Sequence, residues 1–233
     1  IPLGDLVGGV NGPVGILAAL YERSITGRGR LIDISLLDGL IGMLAYLPQL
    51  AWFTGEDPEP QGSQHPNLVP YGVFPASNGS IVIACLMNSF WASICRALGM
   101  DDWIDDTRFD TLEKRRDARG MVNERISGAT SQKTVNELVD IFTEHQVPHA
   151  PILGVSEALS QPQAVAREMV VETEHRSLGK IPIVNRSIRF PGDPQPVPTA
   201  PPVLGQHTDE ILMDILGCTS EQIRELRMSR VVA

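Results

Sequence analysis

The clearest periodicity in the chain runs from Val14 through Leu17, Ala18 and Tyr21, with Ile16 and Leu20 alongside and Glu22, Arg23 and Arg28 on the polar side. This is helical spacing. Asn11-Gly12-Pro13 supplies a cap-forming residue and a proline near the first helical position, and Gly27 and Gly29 supply a stop, so a helix is predicted to start at about Asn11. Asp5 then falls in a glycine-rich turn, GDLVGG, just ahead of that start. A second helix is predicted from about Ile32 to Phe53. It is apolar nearly all round, which predicts enclosure by protein on most sides. Asp33 and Asp38 stand out within it.

From Thr54 to Asn67 the pattern is lost in Pro, Gly and acidic residues, the composition of a linker. Beyond it, Tyr71–Pro75 and Ile81–Leu86 flank Ala-Ser-Asn-Gly, a hairpin signal centred on Asn78-Gly79. Helices are predicted over Ser89–Leu98, within Thr111–Ser127, and from Val135 to His145, the last with a capping box of Thr134 and Glu137. Val147–Leu153 and Ile181–Phe190 read as extended, and Ser156–Leu159 and Gln163–Glu168 as short helices. A Pro-rich connector beginning at Pro191 leads to a final helix over Ser220–Met228. The organisation expected is an opening helical pair (1–54), a linker (55–65), an α+β module (66–190) and a returning tail (191–233).

Composition adds exclusions. With 42% hydrophobic and 20% charged residues among 233, the chain has an ordinary globular composition and enough length to bury a core. A net charge of −9, with no Lys/Arg run that could override it, argues against a nucleic-acid partner. It leaves room for an anionic, nucleotide-bearing ligand in a local pocket. Cys85, Cys95 and Cys218 match no metal spacing, and the five histidines form no ligand pair, so no metal is expected. An odd cysteine count favours a reducing, cytoplasmic setting. Gly39–Phe53, the most apolar stretch, is shorter than the roughly 20 residues a bilayer span needs, so no membrane partner is expected.

Six pieces in fixed order then carry a resemblance: GD-x-x-GG, ILAALYER, TGRG followed by IDISLLDG, PYGVFPASNG, VPHAPI and LGQHTDEIL. From Ile1 to about Leu216 the chain resembles the family III CoA-transferases (CaiB/BaiF-like), a group that also contains α-methylacyl-CoA racemase. The resemblance implies an α/β fold in which the opening pair and the final helix belong to a Rossmann-like large domain and residues 66–190 form a small α+β domain. It also implies a further N-terminal segment carrying most CoA contacts, and an interlocked homodimer.

The activity so implied is transfer of coenzyme A between an acyl-CoA and a carboxylic acid, with the thioester as substrate and no permanently bound cofactor. Such transfer needs an ionised carboxylate that attacks the thioester carbonyl. Asp5 stands at the position of the family's catalytic aspartate; a helix start favours its anion. Gly8 and Gly9 are expected to let the backbone approach and aim N–H groups at a developing oxyanion. Asp38 and Tyr71 are the further substrate-binding candidates that the resemblance implies. Arg28 and Arg30 read as a solvated basic turn, His65 as a linker residue, His207 as a pin for the tail, and Cys85 and Cys95 as core. Two alternatives stand beside transfer: racemase-type epimerisation, which the CLMNSFW stretch disfavours because Met87 or Asn88 takes the acidic position, and a non-catalytic half of a split enzyme. Without the N-terminal part, little activity is expected of this stretch alone.

Overall fold

The computed structural model describes residues 1–192 and 196–232, so residues 193–195 of the Pro-rich connector lie outside the described residues. The chain divides into two compact units, residues 1–67 and Leu68 onward.

The first unit opens on a single helix, α1 (Leu3–Thr26), capped at its end by Gly27 in the left-handed region. The predicted start at Asn11 is corrected: the helix runs through Pro13. The apolar positions Leu3, Val7, Val10, Val14, Leu17 and Tyr21 keep one period on both sides of the proline, as one continuous helix does. Gly4, Gly8, Gly12 and Gly15 form a stripe on α1, facing Leu40, Leu36, Ile34 and Ile32 in turn. A Cβ at Gly8 would overlap Leu36 Cδ2, and one at Gly39 would lie 2.6 Å from Val7 Cγ1. The close approach is therefore mutual.

The predicted continuous helix over 32–53 is also corrected. Residues 28–35 belong to no helix, α2 covers Leu36–Gly42, and α3 covers Leu47–Thr54 at 67° to it. Ser35 Oγ accepts from the Asp38 N–H at 3.1 Å and starts α2. The break comes at Ala45, which takes φ 53°; Pro48 then sits in the first turn of α3, where its missing N–H costs nothing. No residue of α2 or α3 is buried, and Val7 is the one buried residue of α1. The enclosure expected from the sequence is not supplied by the residues of this unit. By length and composition α1 could also cross a membrane.

The second unit holds the core. Strands β1 (Tyr71–Ala76) and β2 (Gly79–Ala84) form the expected hairpin, with Tyr71 opposite Ala84 and Ala76 opposite Gly79, and β3 (His149–Pro151) pairs antiparallel to β2. Helices α4 (Asn88–Leu98), α5 (Leu112–Asp117), α6 (Arg119–Thr130) and α7 (Val135–Glu144) surround them. The charged helix predicted within 111–127 is thus two, divided at Ala118. Phe74, Ile81, Ile83, Trp91, Ile94, Phe109, Ile126, Leu138 and Phe142 belong to one buried cluster. The capping box of Thr134 and Glu137 is present, and Asn78 Oδ1 accepts from the first amide of α7, Val135, at 2.9 Å.

Short helices α8 (Val155–Leu159) and α9 (Pro162–Ala166) lead to a second, two-stranded sheet of β4 (Val170–His175) and β5 (Gly179–Val184). Strand β4 went unread in the sequence, where its alternating acids suppress the apolar signal. The expected extension to Phe190 ends at Val184. A helical turn α10 (Thr208–Glu210) and α11 (Ser220–Met228), with its own capping box of Thr219 and Gln222, complete the chain.

Candidate active site

Asp5 occupies the first turn of α1, not a loop ahead of it. Leu6 N–H donates to Pro2 C=O at 3.1 Å, the first bond of the helix, so the N–H groups of Leu3, Gly4 and Asp5 have no partner in the ladder. The Asp5 side chain is exposed and has no hydrogen-bond or ion-pair partner among the described residues. A carboxylate here lies at the positive end of a 24-residue helix. It is free to meet an electrophile, and the nearby amides can meet an oxyanion.

Gly8 and Gly9 are placed differently from the expectation. Both lie inside α1, where their N–H groups belong to the helical ladder. Gly8 faces Leu36, while a Cβ at Gly9 would meet open space. The donors left open at this end of the helix are therefore those of residues 3–5. Asp38 is an exposed residue of the first turn of α2, held through its backbone by Ser35. It lines an open groove of about 610 Å³ along α1 together with Val7, Asn11, Val14, Asp33 and Met43. The structure thus brings Asp5, Gly8, Gly9 and Asp38 into one unit. Tyr71 belongs to the other, as the half-buried first residue of β1.

The remaining candidates have local partners. Arg30 forms an ion pair with Glu22, and the Arg28 amide donates to Thr26 Oγ1 at 3.3 Å. His65 Nδ1 accepts from the Asn67 N–H at 3.1 Å. That bond leaves the proton on Nε2, which lies 3.4 Å from Tyr46 Oη. His207 Nδ1 lies 3.0 Å from Glu210 Oε2, within the tail.

The group that sequence reasoning missed is Arg115. It is fully buried, yet it forms no ion pair among the described residues. Its Nε donates to Val69 C=O at 3.1 Å, Nη1 to Phe109 C=O at 2.7 Å and Nη2 to Asn88 Oδ1 at 2.7 Å. The guanidinium also lies 5.2 Å from the centroid of the Trp91 ring. Loss of solvation lowers the pKa of Arg115. The same burial pushes the thiol of Cys85 up to about 11, and that of Cys95 up to about 12. These thiols are held protonated and unreactive. A signal for Arg115 did exist: it falls one heptad before the buried Val122 and so in register with the apolar stripe of Val122 and Ile126.

Comparison with known proteins follows the same geometry. The family model described as "CoA-transferase family III" matches residues 1–208. The succinyl-CoA–D-citramalate CoA-transferase of Chloroflexus aurantiacus is 29% identical over 233 residues, covering all of this chain and 58% of that protein. The human succinyl-CoA:glutarate CoA-transferase is 27% identical, covering all of this chain and 53% of its own length. The crystal structure of a CaiB/BaiF family protein from Brucella suis superposes with a TM-score of 0.77 at 27% identity, over 92% of this chain and 55% of that one. The chain therefore spans about half the length of the curated relatives it matches.

Proposed function

The chain belongs to CoA-transferase family III, and from that premise we propose that it carries the nucleophile of a CoA transfer between an acyl-CoA and a free carboxylic acid. Asp5 is that nucleophile. The observation that carries the reading is an exposed, unpartnered carboxylate in the first turn of a long helix, beside backbone donors with no partner of their own.

The Asp5 carboxylate attacks the acyl carbonyl and expels CoA thiolate, leaving an acyl-aspartyl anhydride. The thiolate attacks the aspartyl carbonyl; the donor acid leaves, and an aspartyl-CoA thioester remains. The acceptor carboxylate attacks that thioester, forming a new anhydride and releasing the thiolate again. Attack of the thiolate on the acceptor's carbonyl then gives the product thioester and restores the Asp5 carboxylate. Each oxyanion formed on the way is met by the open N–H groups of residues 3–5. Tyr71 and Asp38 are assigned to the acyl-binding surroundings, Gly8 to the close approach of α2 to α1, and Gly9 to an open face of α1 that a substrate can reach.

The apolar surface of α1 supports a second element of this reading. Val14, Leu17 and Tyr21 are 62%, 65% and 71% exposed, and the relatives carry roughly as much chain again as the portion matched here. That further length is the cover proposed for α1, in preference to lipid, and an interlocked homodimer is the assembly proposed. Racemisation gains no support: Met87 is a thioether, and the Asn88 amide is occupied by Arg115.

Hydroxylamine trapping tests the assignment. Incubation of the intact protein with an acyl-CoA and hydroxylamine is expected to convert Asp5 to its hydroxamate, located by peptide mass. Deuterium exchange at the acyl α-carbon with no hydroxamate would indicate a racemase instead, and neither signal would indicate a non-catalytic half.

A further inference from the structure

The LGQHTDE stretch does more in the structure than pin the tail. Gly205 takes φ 75°, and the turn there brings Gln206 back onto the residues before it. Gln206 Oε1 accepts from the Val203 N–H at 3.1 Å, which fixes the end of the amide that is oxygen. Its Nε2 lies 3.2 Å from His207 Nε2, and His207 Nδ1 lies 3.0 Å from Glu210 Oε2. A carboxylate only accepts, so the neutral imidazole carries its proton on Nδ1 and Nε2 accepts from the amide. One amide hydrogen of Gln206 is thereby taken by His207. The other has no acceptor among the described residues.

Gln206 and Arg176 line two hollows in common, of about 440 Å³ and about 460 Å³. Arg176 comes from the turn between β4 and β5. It is exposed and has no hydrogen-bond or ion-pair partner among the described residues. The first hollow is also lined by Arg227 of α11, whose Nη2 lies 2.9 Å from Asp209 Oδ1. Asp209 is the acid of that hollow, and Glu174 the acid of the second. Two guanidiniums and an oriented amide thus meet one carboxylate in the first hollow, a locally positive setting in a chain of net charge −9.

We propose that the first hollow is a phosphate-binding site. Arg176 and Gln206 are its donors, and Arg227, held by Asp209, is its second positive charge. Groups carried by three separate segments suit a ligand with oxygens on several sides better than a planar carboxylate. All three segments (the β4–β5 turn, the LGQH turn and α11) belong to the second unit. The site is independent of Asp5 and of the acyl transfer assigned to it.

Calorimetric titration of the intact protein with inorganic phosphate tests the proposal. Saturable binding is expected, weakened about tenfold or more in Arg176→Gln and in Gln206→Glu, which replaces a donor by a like charge. Arg176→Lys, which keeps the charge and loses the fork, is expected to fall between Arg176→Gln and wild type. Both side chains are exposed, so the variants are expected to fold as wild type does; should one fail, the others give the reading. Acetate is expected to bind about tenfold more weakly than phosphate. Absence of saturable phosphate binding by the wild type overturns the proposal, as does binding that the Arg176 and Gln206 variants leave unchanged. Acetate bound as tightly as phosphate overturns the assignment to phosphate. Each of these results leaves the hydroxylamine test of Asp5 standing.

Discussion

Arg115 shows what one buried charge does when its partners are all neutral. Its three bonded oxygens come from the approach to β1, from the loop before α5 and from the first residue of α4. One side chain thereby ties together three segments distant in sequence. Removing it leaves two buried carbonyls and an amide oxygen without donors, and an unmet buried polar group costs about 1–3 kcal/mol. Arg115→Met, which keeps the volume and loses the donors, is expected to destabilise the protein by about 3 kcal/mol or more, read from the urea midpoint of the intact chain. A loss below about 1 kcal/mol would mean that water or a rearranged side chain supplies the missing bonds. In the sequence Arg115 is one of three consecutive basic residues, Lys114 to Arg116. Charge marks all three as surface, and only the heptad register with Val122 marks one of them as core.

At the scale of elements, the α1–α2 contact depends on the absence of side chains. The glycines of α1 were legible as a cluster, but the turn they suggested was wrong, because glycine spacing of three and four is also the spacing of a helix face. The same ambiguity explains the misplaced start: Asn11-Gly12-Pro13 has the chemistry of a helix entry, and only the apolar period on both sides shows that the helix continues. Gly8→Ala forces a methyl into Leu36 Cδ2, so a loss of about 1–3 kcal/mol is expected from the strain of overpacking. Gly9→Ala, at a position with open space, is the control and should be neutral or slightly stabilising, since Ala is the better helix former by about 1 kcal/mol. Thermal unfolding of the two variants side by side checks the difference. Equal midpoints would mean that α2 does not pack on α1 as described. Elsewhere local signals were sufficient: the hairpin of β1 and β2, α4, α7 with its capping box, and α11 all follow from turn chemistry and apolar period. The break at Ala45 and strand β4 were not legible. A left-handed alanine carries no signature of its own, and alternating acids hide a strand whose partner lies several residues further on.

For the molecule as a whole, the contrast between the two units is informative. The second unit buries a contiguous core of aromatic and branched residues. The first exposes apolar side chains along most of a 24-residue helix, an arrangement that water disfavours at about 25 cal/mol for each Å² of apolar surface. The relatives carry roughly as much chain again as the portion matched here, and that length is the cover proposed above for this surface. Asp5 was legible in the sequence as a candidate because six short motifs occur around and after it in a fixed order. The open amides of residues 3–5 were not, because they depend on where α1 begins. The central claim is that the Asp5 carboxylate becomes acylated during turnover, and kcat for CoA transfer in Asp5→Ala against wild type, measured in the intact protein, tests it most directly. The account predicts a fall in kcat of at least about 10⁴-fold, in line with the loss of an essential nucleophile. Turnover that survives the substitution would contradict it.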